Sequence, residues 1–294
     1  MEVNNMQHTT KWKITPLAIL LGALFSSSSI YAEENSQTNG ESNTGSTSEA
    51  QSSCIWCNVS GSASLAYDSN LYDTNDYRSV RNFSWNGTLN YKLSDKTGLY
   101  FSTGGYRALE DKVGTYATDS VFGASYSNIY EFGETGKIGL SGQLTIPTSE
   151  ISQDTKLYTA IRISTPIRFQ MLGGNYSVTP RVRKNFYKYE TMNGRVLTEW
   201  VYSISVGGSY SFDDLTIGAS ALGGNGMSYK GTRSRQFTYG ASAYASYGIT
   251  DNWSTSFTVS TAGFYSDAER GTLGNIDLFD TDKATYIAQL TFSF

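Results

Sequence analysis

Histidine is nearly absent from this chain of 294 residues: the single copy is His8. Proline occurs four times, cysteine twice, and charged residues make up only 16% of the sequence. After residue 32, no apolar run approaches the roughly 18–20 residues that a membrane-spanning helix requires. The absence of such a run argues against a helical membrane protein, and the lack of histidine limits the chemistry that an active site could use.

The first 53 residues differ from the rest of the chain. Lys11 and Lys13 form a basic region, residues 14–25 are mainly apolar, and the small residues that follow predict cleavage after Ala32. We therefore interpret residues 1–32 as a secretory signal peptide. Residues 33–53 are polar with almost no apolar side chain, which predicts a disordered periplasmic segment.

Removal of the signal peptide would leave a chain without any imidazole, because His8 leaves with it whether translation begins at Met1 or at Met6. A histidine general base is then not available. No other catalytic constellation stands out, so we expect that the protein is not an enzyme. The whole chain has 22 basic and 26 acidic residues, without the basic excess that supports binding of nucleic acid.

Glycine (29 residues), tyrosine (22) and phenylalanine (14) are abundant, and the last twelve residues show how they are used. From Lys283 to Phe294, apolar and polar side chains alternate, with Ile287 as the one apolar residue on the polar face. Such alternation predicts a strand with one apolar and one polar face. Strands of soluble proteins average about 5–6 residues, whereas a tilted strand that crosses a bilayer needs about 9–11.

Long alternating runs of this kind recur through the chain after residue 57. Polar turns of two to six residues and longer charged loops separate them in alternation, as in outer-membrane barrels. We find no helical run and no second domain. The predicted fold class is all-β, a closed antiparallel transmembrane β-barrel of about 12 strands within residues 54–294. The predicted strands are 58–70, 80–92, 98–107, 117–130, 137–147, 156–169, 175–189, 199–212, 215–224, 236–249, 253–265 and 283–294.

The terminal strand resembles the closing strand of Gram-negative outer-membrane β-barrels, which also ends in an aromatic residue. The residues that carry this resemblance are Tyr286, Leu290, Phe292 and Phe294. The resemblance implies that these four residues are the signal recognised by the barrel assembly machinery. It also implies insertion into the lipid of the cell outer membrane.

Four arginines are the strongest charged feature of the predicted inner face. Arg162 and Arg168 alternate with the apolar residues of the sixth predicted strand, and Arg181 and Arg183 do so on the seventh. A hairpin turn between these strands should bring the arginines together as a patch that guides anions. The alternative is a structural lattice in which acids such as Asp119 or Glu199 neutralise them. The arrangement resembles the arginine tracks of narrow twelve-stranded, oligogalacturonate-specific porins.

The only two cysteines, Cys54 and Cys57, lie directly before the first predicted strand. In an oxidising compartment a local disulfide that stiffens the start of this strand is the default. A redox or metal role is the alternative, although two thiols without further ligands make a poor zinc site. We expect no metal and no other cofactor.

These features predict an outer-membrane porin for the passive diffusion of small hydrophilic solutes, preferably anions. The alternative is a non-conducting outer-membrane barrel that serves as a structural scaffold, a partner-binding protein or a translocator. Barrels that sheathe multihaem cytochromes also have a Cys-x-x-Cys motif near their mature N-terminus, and Cys54–Cys57 is similar in kind. Such barrels are far larger than twelve strands. Conduction of ions would distinguish a channel from a scaffold.

Overall fold

The computed structural model describes residues 21–23, 36–38, 58–74, 76, 79–110, 113–234, 237–265, 281 and 284–294. Most of the predicted signal peptide and polar segment, and both cysteines, lie outside these residues. The elements in chain order are β1 (Leu21–Ala23), β2 (Ser36–Thr38), β3 (Val59–Ser69), β4 (Arg81–Lys92), β5 (Thr97–Ala108), β6 (Gly114–Ala117), β7 (Ser120–Phe132), β8 (Gly136–Ile146), α1 (Glu150–Asp154), β9 (Leu157–Ser164), β10 (Ile167–Met171), β11 (Gly174–Tyr187), β12 (Thr191–Met192), β13 (Arg195–Val196), β14 (Thr198–Phe212), β15 (Leu215–Ser228), β16 (Phe237–Gly248), β17 (Trp253–Tyr265) and β18 (Thr285–Ser293).

The long strands form one closed antiparallel barrel. Each pairs with its neighbour in the chain, and β18 pairs with β3 to close the ring. β9 and β10 lie end to end between β8 and β11 and together occupy one position, so the ring has twelve positions. The predicted fold class is confirmed. Outside the barrel ring, β1 pairs with β2, β12 pairs with β13, and β6 extends the edge of β5.

The distribution of apolar and polar side chains is the reverse of that in a soluble protein. Large apolar side chains cover the outer surface; Leu65 is 66% exposed and Ile163 is 55% exposed. The buried side chains of the inner surface are mainly polar, and Asp68 is only 2% exposed. Apolar surface of this extent is not stable against water, and it is the surface that a transmembrane barrel presents to lipid.

The terminal strand illustrates how the sequence pattern produces these faces. Tyr286, Leu290 and Phe292 lie on the outer face, and the Phe292 ring packs at a tilt against Trp253 of β17 with ring centroids 5.1 Å apart. Ile287, the apolar exception on the polar face, is 2% exposed inside the barrel beside Asp68. The strand therefore keeps its alternation, and a single apolar residue is accommodated in the interior.

The connections differ in length at the two ends of the barrel, as predicted. At one end, called here the short-turn end, the connections are 93–96, 133–135, 172–173, 213–214 and 249–252. In the first of these, a hydrogen bond and the charge of Lys92 lower the pKa of the exposed Asp95 carboxyl. Leu172 and Gly173 both have positive φ values, which suit the tight turn between β10 and β11. The opposite, long-loop end carries the longer connections.

Two local expectations are corrected. The sixth predicted strand, 156–169, is interrupted between β9 and β10 at Pro166, which has no N–H for the ladder. The Pro166 carbonyl still accepts a hydrogen bond from Gly139 N at 2.8 Å. The described residues also include one helix, α1, although no helical run was expected. Five residues are too few to show helical periodicity, and Ser149 caps the helix by accepting a hydrogen bond from Ser152 N.

Within the described ranges, no helix is long and apolar enough to cross a membrane.

Candidate functional site

Arg162 and Arg183 lie side by side on the inner face of the barrel. The antiparallel register of β9 and β11 places them as direct cross-strand partners. Arg162 is 5% exposed and Arg183 is 4% exposed, so both side chains lie within the barrel interior. Two like charges opposite each other on a sheet are unfavourable unless the surroundings compensate them. The pair therefore concentrates positive charge at one point of this wall.

Arg181 and Arg168 lie on the same inner face, further towards the short-turn end. Arg181 is buried to the same degree as Arg162, and its Nη2 donates a hydrogen bond to Ser205 Oγ at 3.1 Å. Arg168, on β10, is half-buried and pairs in register with Ser177 of β11. The structure thus brings Arg162, Arg181 and Arg183 into one buried group and places Arg168 beyond the break at Pro166.

Neighbouring amides and hydroxyls orient the arginines. Arg183 Nε donates to Asn185 Oδ1 at 2.8 Å, and Asn185 Nδ2 donates in turn to the Thr198 carbonyl at 3.1 Å. Arg162 pairs in register with Gln143 of β8. The hydrogen bond to Asn185 orients the Arg183 guanidinium, as a preorganised charged surface requires.

Tyr100 continues this polar wall on the other side of Gln143. Gly123 pairs in register with both Tyr100 and Gln143, and the Tyr100 ring lies where a Cβ on Gly123 would stand, 2.2 Å from Cζ. Because Gly123 has no side chain, Tyr100 crosses β7 and donates a hydrogen bond to Gln143 Oε1 at 3.3 Å.

One register row therefore crosses five strands of the inner wall. It joins a phenol, an amide and two guanidinium groups, and it consists of Tyr100, Gly123, Gln143, Arg162 and Arg183. The sequence analysis did not find Tyr100 or Gln143. Alternation alone puts both on inner faces, but their proximity to the arginines depends on the register of strands that are far apart in sequence.

A small hollow that is partly open to solvent lies at this wall. Arg162 and Arg183 line it together with Asp119 and with polar side chains that include Asn86 and Ser102. Glu199, the other acid considered as a partner of the arginines, instead forms an ion pair with Lys184 at 3.2 Å. Of these two acids, Asp119 is the one that shares a cavity with the arginine pair.

Asp119 also anchors the connection between β8 and β9. Its Oδ1 accepts a hydrogen bond from Ser149 N at 2.9 Å, and its Oδ2 accepts one from Ser152 Oγ at 2.6 Å. Ser149 caps α1, and Ser152 is the buried residue of that helix. The carboxylate thus connects a loop at the long-loop end with the arginine-lined hollow.

The other predicted site residues lie elsewhere. Tyr286, Leu290, Phe292 and Phe294 occupy the terminal strand and its end, on the outer face. Cys54 and Cys57 are outside the described residues. In the part of the chain that the structure describes, no group of three or more histidine, cysteine, aspartate or glutamate residues is arranged to hold a metal ion.

A closed twelve-stranded antiparallel barrel with an apolar exterior defines the fold of a transmembrane β-barrel protein. Two solved structures have this fold: the COG4313 outer membrane channel from Pseudomonas putida F1 (TM-score 0.53, 14% identity, 80% of this chain and 95% of that chain) and the NanC porin (TM-score 0.52, 9% identity, 79% and 98%). The KdgM porin aligns with a TM-score of 0.46 at 16% identity over 79% of this chain and 99% of its own.

No protein-family model matches the chain, and no curated protein sequence does. At these identities, the similarity to the two channels concerns the fold, which confirms the architecture expected from the sequence.

Proposed function

We propose that the protein is an outer-membrane channel of a Gram-negative bacterium for the passive diffusion of small hydrophilic solutes, with a preference for anions. The observation that carries this proposal is the group of Arg162, Arg181 and Arg183 buried on the inner wall of a barrel with an apolar outer surface. Low-dielectric walls concentrate the field of such charges and raise the local concentration of anions. Guanidinium groups also match the geometry of carboxylates.

The small inner side chains support an aqueous interior. Ser203 and Ser205 on β14, and Ser254 and Ser256 on β17, point inward. Along each strand they alternate with the apolar residues that point outward. A barrel of about eight strands can be filled by its own side chains, whereas one of 16–18 strands leaves a wide channel. Twelve strands lined by serine, threonine and glycine are intermediate and suit a narrow wet lumen.

The alternative, a non-conducting scaffold or translocator, is favoured by one observation. The three arginines are at most 5% exposed, so little space at that level is open to water. A barrel that is filled at the arginine level would hold its shape without passing ions. Conductance in a planar lipid bilayer decides between the two functions.

The test of anion preference is the reversal potential of the purified protein in a salt gradient. We expect a value on the anion-selective side, and replacement of both Arg162 and Arg181 by serine should move it towards cation selectivity without removing conductance. The preference should weaken with salt, because the Debye length falls from about 10 Å at 0.1 M to about 3 Å at 1 M.

The matched control is replacement of both Arg107 and Arg195 by serine. These residues are exposed, Arg107 on the outer face of β5 and Arg195 in the β12–β13 hairpin, so the variant loses the same charge away from the inner wall. Its reversal potential should equal that of the unmodified protein. A cation-selective unmodified protein, or equal effects of the two double variants, would contradict the proposed anion guidance.

A further inference from the structure

The carboxylate of Asp119 lies between two parts of the barrel, the arginine-lined hollow and the β8–β9 loop. Towards the interior it lines the hollow that contains Arg162 and Arg183. Towards the long-loop end its two oxygens hold Ser149 and Ser152 of the β8–β9 loop. A carboxylate can accept several hydrogen bonds and still attract a cation, so the two roles are compatible.

The loop is fixed to this part of the rim by more than one contact. Thr148 Oγ1 donates to the Thr118 carbonyl at 2.7 Å and accepts from Ser120 N at 2.8 Å. Ser152 is 1% exposed against Asp119, whereas the other residues of α1 are exposed. The contacts on both sides of Asp119 therefore restrict where its carboxylate can stand.

Asp119 lines the same hollow as Arg162 and Arg183. Opposite charges that share a partly enclosed hollow interact more strongly than in bulk water, because the effective dielectric constant is lower. Asp119 must therefore reduce the positive potential that the arginines present to a passing anion.

We propose that Asp119 is a specificity-determining residue of the channel: it sets the strength of anion selection by partly neutralising Arg162 and Arg183, and the β8–β9 loop holds it in place. Ser149 and Ser152 are positioning residues in this arrangement. The inference rests on the proposed function, because it specifies how the anion preference of the same arginine wall is adjusted.

The central experiment is Asp119→Asn in the full chain. Asparagine has nearly the same shape and keeps an oxygen for Ser149 N, while its amide can donate to Ser152 Oγ, so the loop contacts can persist without the charge. The anion-to-cation permeability ratio, measured from the reversal potential in a potassium chloride gradient, should rise by up to about tenfold, the lower end of the enrichment that focused potentials give.

Glu150→Gln is the matched control, because Glu150 is an exposed acid of the same loop and does not line the hollow. It should leave the ratio unchanged. Asp119→Ala, which removes the charge and both loop contacts, should change the ratio in the same direction as Asp119→Asn. Folding of each variant is verified from its heat-dependent migration in gels.

A double-mutant cycle tests whether Asp119 acts through the arginines. In a protein with Arg162→Ser and Arg183→Ser, the effect of Asp119→Asn should fall to that of Glu150→Gln. An unchanged effect in this background, or equal ratios for Asp119→Asn and Glu150→Gln in the otherwise unmodified protein, would overturn the inference.

The same measurements separate this inference from the proposed function. An anion-selective channel that responds to Arg162→Ser with Arg181→Ser, but not to Asp119→Asn, overturns the role of Asp119 alone. A barrel that does not conduct, or that is cation-selective when unmodified, overturns both.

Discussion

Gly61 and Phe294 form a reciprocal contact at the seam where the barrel closes. Gly61 N donates to the Phe294 carbonyl at 3.1 Å, and Phe294 N donates to the Gly61 carbonyl at 3.0 Å. The Phe294 ring lies over Gly61, 2.7 Å from the position that a Cβ would take. The last residue of the chain is therefore held by the first strand of the barrel, which gives the terminal aromatic a structural function in addition to any role in assembly.

Replacement of Phe294 by serine should lower the amount of folded protein in the outer membrane and leave aggregated or degraded protein in the periplasm. The variant loses the ring that covers the β3–β18 seam and the aromatic end of the predicted assembly signal. Leu172→Ser is a suitable control, because Leu172 is an exposed apolar residue in a turn at the same end of the barrel. Membrane fractions separated on gels with and without heating give the folded amount.

Gly61→Ala separates the packing role of Phe294 from its role in recognition. The variant keeps the whole terminal strand, but the new Cβ meets the Phe294 ring at 2.7 Å and the Thr88 carbonyl at 2.8 Å, with a cost of about 1–3 kcal/mol for overpacking. We expect near-normal insertion but unfolding at a lower temperature. Gly87→Ala on β4, where the nearest atom lies 4.0 Å from the new Cβ, should behave like the unmodified protein. Wild-type membrane levels of Phe294→Ser would contradict the predicted assembly signal.

If the protein is the proposed anion-preferring channel, Gly123→Ala should reduce its conductance without removing the anion preference. The new Cβ would stand 2.2 Å from Tyr100 Cζ, so the ring must swing away from the wall and lose its hydrogen bond to Gln143. The displaced ring narrows the lumen beside the arginines, and the lost hydrogen bond costs about 0.5–1.5 kcal/mol. Single-channel recordings measure the change in conductance.

Gly142→Ala on β8 is the matched control for this variant, since no atom lies within 4 Å of its new Cβ. Its conductance should equal that of the unmodified protein. The Tyr100→Ala, Gly123→Ala double variant should recover the conductance lost in Gly123→Ala, because the obstructing ring is removed. Equal conductance in Gly123→Ala and the unmodified protein would show that Tyr100 does not narrow the lumen.

Cys54 and Cys57 remain predicted to form a disulfide, since they precede β3 in a chain expected to reach an oxidising compartment. Protein purified without reductant should not react with a thiol-specific reagent until it has been reduced. Replacement of both cysteines by serine should leave the heat-dependent gel shift of the barrel unchanged. Free thiols in the non-reduced protein would refute the bond, and an unfolded double variant would refute its limited structural role.

The sequence by itself determined the class of fold and, for most strands, the face on which each residue lies; in the fourth predicted strand, 117–130, both faces are apolar and alternation does not assign them. Successive side chains of a strand point to opposite sides, so alternation is a local property that needs no knowledge of neighbours. It is sufficient to put Arg162 and Arg183 on the inner face and Leu290 and Phe292 on the outer face. It also identified Ile287 as the one apolar residue on the polar face of the terminal strand, and the structure buries it inside the barrel.

From the hairpin turn, the sequence also predicted that Arg162 lies level with Arg181 or Arg183, and the structure pairs it with Arg183. The tertiary structure alone decided which residues of the other strands join them, because the row that extends to Tyr100 depends on the register of five strands. Register is set when the whole ring closes, through turns, bulges and the β3–β18 seam, so no single stretch of sequence contains it. The approach of Asp119 to the arginines depends in addition on how the β8–β9 loop folds onto the rim, which residue alternation does not specify.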